Sequence, residues 1–189
     1  MKRTALFFGS FNPIHLGHLH VARSALNTKK IDQVVFVVSP QNPFKREVDL
    51  LPESQRLDLV SRVVANEEAM VCSDVEFHLP RPNYTINTLH HLGVLPGKDT
   101  HTLLMGADIF AQMKTWQGAE EMLSHELMIY PREGSTLPKA SDKRTLLEDP
   151  LISISATIIR QKLEANQEIS DLVPQEVANF FYATQEKNR

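Results

Sequence analysis

His15 and His18 stand three residues apart in the stretch Gly9-Ser10-Phe11-Asn12-Pro13-Ile14-His15-Leu16-Gly17-His18. On a helix that spacing brings two side chains to one face. Imidazole donates a hydrogen bond when neutral and adds positive charge when protonated, and both suit a place where charge builds on a phosphorus atom. Taken singly, either histidine reads as a helix cap or a helix-surface residue. The pair, set among two glycines and a proline, points instead to a phosphate clamp. No cysteine or carboxylate lies beside the histidines to complete a zinc set, so no metal ligands are assigned.

The flanking residues say what must hold the clamp. Ala5, Leu6, Phe7 and Phe8 form a short apolar run, and from about Leu16 the residues Leu19, Ala22 and Leu26 follow the spacing of a helix face. A strand therefore feeds a helix. Gly9 permits close backbone approach, Pro13 stiffens the loop without needing an N–H partner, and Gly17 leaves room beside the helix start. The first helical N–H groups lack intrahelical partners and carry the positive end of the macrodipole, so an anion docked there is expected to receive several donors at once.

Similar alternations recur along the chain and predict a doubly wound, Rossmann-like α/β fold with a parallel sheet and C-terminal helices. Val34 to Val38 suits a buried parallel strand, Leu57, Val60 and Val64 mark a helix face, and Met70 to Phe77 reads as another strand. A helix is expected from near Thr85, strands at His101 to Met105 and Glu126 to Tyr130, and a short segment at Pro150 to Ile154. Pro131 to Asp149 lacks apolar periodicity and reads as an exposed connection. Pro174 suits the first turn of a last helix, where Val177, Phe180, Phe181 and Thr184 follow helical spacing. In such sheets ligands gather beyond the carboxyl ends of the strands, near the switch in strand order, which is where the histidine stretch would sit.

At 189 residues and 42% hydrophobic, the chain can bury one sizeable core, and a single domain over residues 1–189 is expected. A net charge of -3 argues against nonspecific nucleic-acid binding. The only cysteine, Cys72, excludes an internal disulfide and reads as a buried strand residue. No secretory signal or membrane-length apolar run is seen, so a cytoplasmic protein without membrane attachment is expected.

The ten-residue stretch resembles the GxFxPxHxGH motif of a nucleotidyltransferase family that is Rossmann-like but lacks the dinucleotide GxGxxG fingerprint. Ile154-Ser155-Ala156-Thr157-Ile158-Ile159-Arg160 resembles the same family's ISSTxIR motif, with Ala156 in place of the second serine. Ser155 can still cap a helix, Thr157 offers an oxygen in its first turn, and the Arg160 guanidinium matches phosphate oxygens. The resemblance implies a second helix start meeting a triphosphate from another side.

Three further matches resemble the nicotinate mononucleotide adenylyltransferase branch, and the likeness runs nearly the whole chain to Leu172-Val173-Pro174. Pro40-Gln41-Asn42-Pro43-Phe44-Lys45 is similar to a PxxxPPHK segment, with Phe44 where histidine is common. Lys45 could reach phosphate, although locally it reads equally as a solvated lysine in a Pro-rich turn. Arg81-Pro82-Asn83-Tyr84-Thr85 with Thr88-Leu89 resembles RPSYTxxTL, Asn83 replacing serine. Locally Thr85 reads as a helix cap beside a packed Tyr84; the resemblance implies a site for an acidic pyridine ring. Gly106-Ala107-Asp108 followed by Trp116 is the third match, implying a carboxylate for sugar hydroxyls and an indole that stacks on the ring.

The implied reaction is adenylyl transfer from ATP to nicotinate mononucleotide, with Mg²⁺ accompanying ATP. Gly9, Ser10, Phe11, His15, Gly17 and His18 would hold ATP from the first motif. Gly106, Asp108, Ser155, Thr157 and Arg160 would hold it from elsewhere, with His15, His18 and Arg160 stabilising the transition state. Asn42, Lys45, Tyr84, Thr85 and Trp116 would hold the mononucleotide. The alternatives are nicotinamide mononucleotide or phosphopantetheine as acceptor, or a regulator that binds ATP without transfer; assembly into a homo-oligomer is left open.

Overall fold

A computed structural model describes residues 2–41, 50–97, 101–148 and 153–187. Among them six strands form one sheet: β1 (Thr4–Gly9), β2 (Gln33–Val38), β3 (Met70–Ser73), β4 (His101–Gly106), β5 (Glu126–Tyr130) and β6 (Arg144–Leu146), in the order β3-β2-β1-β4-β5-β6. Every neighbouring pair is parallel. Sequence order reverses between β1 and β4, so their last residues, Gly9 and Gly106, mark the switch point where an open α/β sheet presents its ligand crevice.

Strand side chains alternate between two cores, as the twofold period of an extended chain requires. Ala5, Phe7, Val34, Phe36, Leu104 and Met128 enter one core, which helices α1 (Leu16–Asn27) and α2 (Glu53–Val64) supply with Leu19, Ala22, Leu59 and Val60. Leu6, Val37, Leu103, Met105, Leu127 and Ile129 enter the other, beneath α3 (Thr85–His91), α4 (Ala107–Gln112) and α5 (Ala119–Ser124), which add Ile86, Leu89, Ala107 and Met122. Covering both faces is what lets the strands be apolar throughout. Ile159 of α6 (Ala156–Glu164) and Val177 and Ala178 of α7 (Gln175–Lys187) close the first core. Pro174 immediately precedes α7, and its carbonyl accepts from the Val177 and Ala178 amides. Thr184 is exposed and bonds the Phe180 carbonyl instead of packing.

Two sequence expectations change. The strand expected from Met70 to Phe77 stops at Ser73, because the Val75 amide turns back to Ser73 Oγ (3.4 Å) and the Phe77 amide to the Asp74 carbonyl (2.8 Å), closing a 3₁₀ turn over Val75–His78. The connection expected from Pro131 to Asp149 contains β6, an edge strand whose three residues are too few to show a period. Residues 150–152 lie outside the described residues, and Ser153 and Ile154 belong to no strand. Cys72 is only half-buried, and burial pushes its thiol pKa up, away from reactivity. Among the described residues no helix is long and apolar enough to cross a membrane.

Candidate active site

The chain leaves β1 at Gly9 and enters α1 at His15, the N-cap residue. Between them Phe11 holds a φ of 43°, an uncommon left-handed conformation for a residue with a Cβ. Its ring packs edge-on to His18 (centroids 5.0 Å apart) and to Phe7 (5.7 Å). Gly9 leaves room for that ring, since a Cβ there would come within 2.9 Å of it.

The two imidazoles stack, with centroids 3.7 Å apart and planes 25° apart. The His15 amide donates to His18 Nδ1 at 3.2 Å, so the neutral His18 ring carries its proton on Nε2. His15 is buried, and its pKa is pulled down to about 3, first by desolvation and then by the charge of Arg132; it is neutral near pH 7. Its buried Nδ1 has no hydrogen-bond partner among the described residues. Gly17 makes this packing fit: a Cβ there would lie 3.0 Å from that nitrogen.

The start of α1 offers fewer free amides than a bare helix end would. Leu16 N–H donates to the Leu172 carbonyl (3.0 Å) and His18 N–H to the His15 carbonyl (2.9 Å), leaving Gly17 N–H without a partner among the described residues. The expectation of several donors from this one turn is thus corrected: the segment before α7 and a tight first turn satisfy most of them.

The second helix start lies against the first. Ser155 caps α6, its hydroxyl accepting from Ile158 N–H at 3.3 Å. Arg160, one turn on, donates to the Asn12 carbonyl at 2.9 Å and to Thr157 Oγ1 at 3.4 Å. The Ile154 carbonyl sits 3.5 Å from where a Gly17 Cβ would be. The two motifs, 148 residues apart at the Arg160–Asn12 contact, therefore form one place.

Three cavities lie along these segments, and the one at the Arg160–Asn12 contact itself, lined also by Thr157 and Leu51, holds about 540 Å³. The one bounded by Asp108, Arg132, Ser153, Ile154, Ser155 and Ile158 holds about 260 Å³. Asp108 Oδ1 is buried there without a hydrogen-bond partner, and Oδ2 lies 3.8 Å from Arg132 Nε. A Cβ on Gly106 would collide with the Asp108 carboxylate. The third cavity, about 100 Å³, lies at the switch point, where Gly9 and Gly106 line it together with Tyr84, Thr85, Trp116, Ser39 and Asn83. Tyr130 also lines it; burial pushes its phenol up to about 12, so it stays a neutral donor.

Of the residues singled out in the sequence, Gly9, Gly106, Tyr84, Thr85 and Trp116 line the switch-point cavity, Asp108 and Ser155 the one beside Arg132, and Thr157 and Arg160 the one at Asn12. Ser10, Phe11, His15, Gly17 and His18 belong to the first motif but line none of the three, and Asn42 and Lys45 lie outside the described residues. Sequence reasoning missed Arg132, which follows β5 and so lies at the carboxyl edge that the switch-point rule singles out. It also missed Glu76 and Arg56. Glu76 is buried, takes a hydrogen bond from Thr88 Oγ1 at 2.8 Å, and has its pKa raised by burial, partly offset by the hydroxyls of Ser39 and Thr88. Among the described residues no group of three or more His, Cys, Asp or Glu side chains could hold a metal ion.

A switch-point crevice flanked by two joined helix starts defines a nucleotidyltransferase of Rossmann-like fold, and residues 6–162 match the cytidylyltransferase-like family model. Among similar proteins, one from Cytophaga hutchinsonii named "Probable nicotinate-nucleotide adenylyltransferase" is 40% identical over 93% of each chain. Another of that name, from Flavobacterium psychrophilum, is 37% identical over 94% of this chain and 95% of its own. The chain belongs to the nicotinate-nucleotide adenylyltransferase family. Its fold is similar to that of the Plasmodium falciparum nicotinic acid mononucleotide adenylyltransferase solved in complex with NaAD, with a TM-score of 0.81 at 19% identity over 97% of this chain and 96% of that one.

Proposed function

We propose that the chain transfers AMP from ATP to nicotinate mononucleotide, forming nicotinate adenine dinucleotide and releasing pyrophosphate. The observation that carries this reading is the Arg160–Asn12 bond, which joins the two phosphate-type helix starts, the first of them following from Gly9 in the wall of the cavity lined by Tyr84, Thr85 and Trp116.

The phosphate of the mononucleotide attacks the α-phosphorus of ATP in line, and pyrophosphate leaves without a covalent protein intermediate. An ionised phosphate needs little help from a base; the barrier lies in bringing anions together and in the crowding at phosphorus. His18 Nε2–H, the Arg160 guanidinium and the Gly17 amide answer the negative charge. His15, neutral before ligand arrives, gains proton affinity as the triphosphate offsets the field of Arg132. Lys45 adds a further cation. Mg²⁺ accompanying ATP would screen the charge of its phosphates. Asp108 accepts from ribose hydroxyls in the cavity it lines with Arg132 and Ser155, while Tyr84, Thr85 and Trp116 hold the pyridine ring. Both substrates are phosphorylated metabolites, which favours a cytoplasmic setting.

Pyrophosphate release from ATP and Mg²⁺, measured with nicotinate mononucleotide, nicotinamide mononucleotide and phosphopantetheine in turn, tests the assignment. The acidic pyridine nucleotide is expected to give the highest kcat/KM. Binding of ATP with no pyrophosphate from any acceptor would make the chain a nucleotide-binding regulator instead.

Two substitutions separate the subsites. Trp116→Ala is expected to raise KM for the mononucleotide roughly tenfold, the loss of about 1–1.5 kcal/mol of ring stacking, with KM for ATP unchanged; an unaltered mononucleotide KM removes Trp116 from the ring site. Gly106→Ala displaces the Asp108 carboxylate and is expected to raise KM for ATP by about tenfold, on the order of one charge-assisted hydrogen bond. Equal rises in both KM values would show that Gly106 shapes the whole crevice and not the ATP side.

A further inference from the structure

Arg56 is the largest fully buried side chain, 1% exposed, yet no carboxylate accepts from it among the described residues. Its four hydrogen bonds all go to backbone carbonyls: Nη1 to Ser10 (2.7 Å) and Ser39 (2.7 Å), Nη2 to Pro40 (2.8 Å) and Nε to Leu51 (3.1 Å). The nearby Glu53 carboxylate is bound by Arg81 on both oxygens, at 2.8 and 2.9 Å. A cation buried in this way is unfavourable compared with an apolar side chain of the same volume, so packing alone does not account for it.

What it holds is the rim of the crevice. Ser10 continues β1 into the histidine motif, and Ser39 and Pro40 continue β2 into the wall of the ring cavity. In a planar trans peptide the C=O and the next N–H point in opposite directions. Drawing the Ser10 carbonyl toward Arg56 therefore turns the Phe11 amide away from it, and helps fix Phe11 in its left-handed conformation. Drawing the Pro40 carbonyl inward turns the Gln41 amide outward, where Asn83 Oδ1 receives it at 3.2 Å. Asn83 lines the ring cavity just before Tyr84 and Thr85, and its Nδ2 is tied to the Glu76 carbonyl at 2.9 Å. From the other side Leu51, whose carbonyl takes Arg56 Nε, donates its amide to Asn12 Oδ1 at 2.8 Å, and Asn12 is the residue that Arg160 grips.

We infer that Arg56 is a positioning residue which sets the phosphate loop and the acceptor cavity at their reactive separation by holding the carbonyls of Ser10, Ser39 and Pro40. It touches neither substrate. The inference rests on the adenylyl-transfer reading, because only a reaction joining two bound molecules depends on that separation.

Arg56→Lys keeps the charge but cannot present donors to four carbonyls from one plane. Its kcat, both KM values and its melting temperature are compared with those of the wild type and of Leu59→Ala, an apolar core truncation on the same helix that removes no hydrogen bond to the crevice rim. With assays run well below melting, Arg56→Lys is expected to lose at least tenfold in kcat while each KM stays within about threefold, and Leu59→Ala to melt earlier with kcat intact. A kcat for Arg56→Lys within twofold of wild type, or one lowered no more than in Leu59→Ala, overturns the role. Should Arg56→Lys fail to fold, Asn83→Ala carries the test: the relay predicts a fall in kcat of at least fivefold, and an unchanged kcat overturns it. A wild-type chain that releases no pyrophosphate with any acceptor instead refutes the reaction, and this inference with it.

Discussion

Replacing His18 by alanine is expected to lower kcat by about 10²–10³-fold, equivalent to about 3–4 kcal/mol, while KM for ATP moves by less than about threefold. The expectation follows from which nitrogen carries the proton. Because His18 Nδ1 accepts the His15 amide, Nε2–H is the ring's donor, and Phe11 and His15 hold the ring on two sides. A donor fixed in advance stabilises charge that develops at phosphorus without reorganising, so its loss appears in turnover more than in ground-state binding. His18→Gln separates this from a structural effect. Its side-chain oxygen can accept the His15 amide and keep the helix start intact, as glutamine does at this position of a capping box, but it does not place a donor where Nε2 was. The glutamine variant should therefore melt close to wild type and still show most of the loss. Equal losses in kcat and ATP affinity, or recovery of turnover in His18→Gln, would contradict the role.

The first motif was readable from sequence because its constraints are local. Gly9 makes room for a ring two residues away, Gly17 for one two residues back, and the histidines meet across a single turn. Strand positions were readable wherever five or six apolar residues ran together, as at Val34 to Val38. What escaped depends on distant partners. Arg56 reaches Ser10 across 46 positions and Ser39 across 17; its helical spacing from Leu59, Val60 and Val63 puts it on the buried face, unlike the exposed Arg62, but does not reveal the carbonyls it serves. Arg132 gains its importance from His15 and Asp108, which β1 and β4 bring alongside β5. The tie-off of the α1 amides by Leu172 was equally invisible, since it joins the first helix to the segment entering the last. β6 failed for another reason: a three-residue edge strand is defined by its neighbour's hydrogen bonds rather than by its own composition. Sequence thus named candidates within each motif, and the fold was needed to show which motifs meet and what holds them together.

His15 also makes folding stability depend on pH in a defined window. In the unfolded chain it titrates near the ordinary histidine value of about 6.5, whereas in the folded chain burial and Arg132 hold it down to about 3. Between those values the unfolded state binds a proton that the folded state refuses, so stability rises with pH there and falls as the solution is acidified. The contribution is fully present above pH 6.5. It is lost at about 1.4 kcal/mol per pH unit below that, reaching about 5 kcal/mol near pH 3. At the acid end of this window Asp32, whose carboxyl the Arg3 guanidinium holds down to about 2, begins to lose its own stabilisation as well, below about pH 3.8. The informative quantity is therefore the difference between wild type and His15→Gln, a variant with no titrating group at that site. Urea unfolding at half-unit steps from pH 7 to pH 4.5 should show the wild type losing stability more steeply, by about 1 kcal/mol or more per unit below pH 6, whatever the offset between the two curves at pH 7. Parallel curves would mean that His15 takes up its proton in the folded chain as readily as in water. Adding ATP should shift the wild-type curve toward lower pH, because a polyanion beside His15 stabilises its protonated form; binding of ATP to the wild type near pH 5 should accordingly take up protons, and binding to His15→Gln should take up fewer.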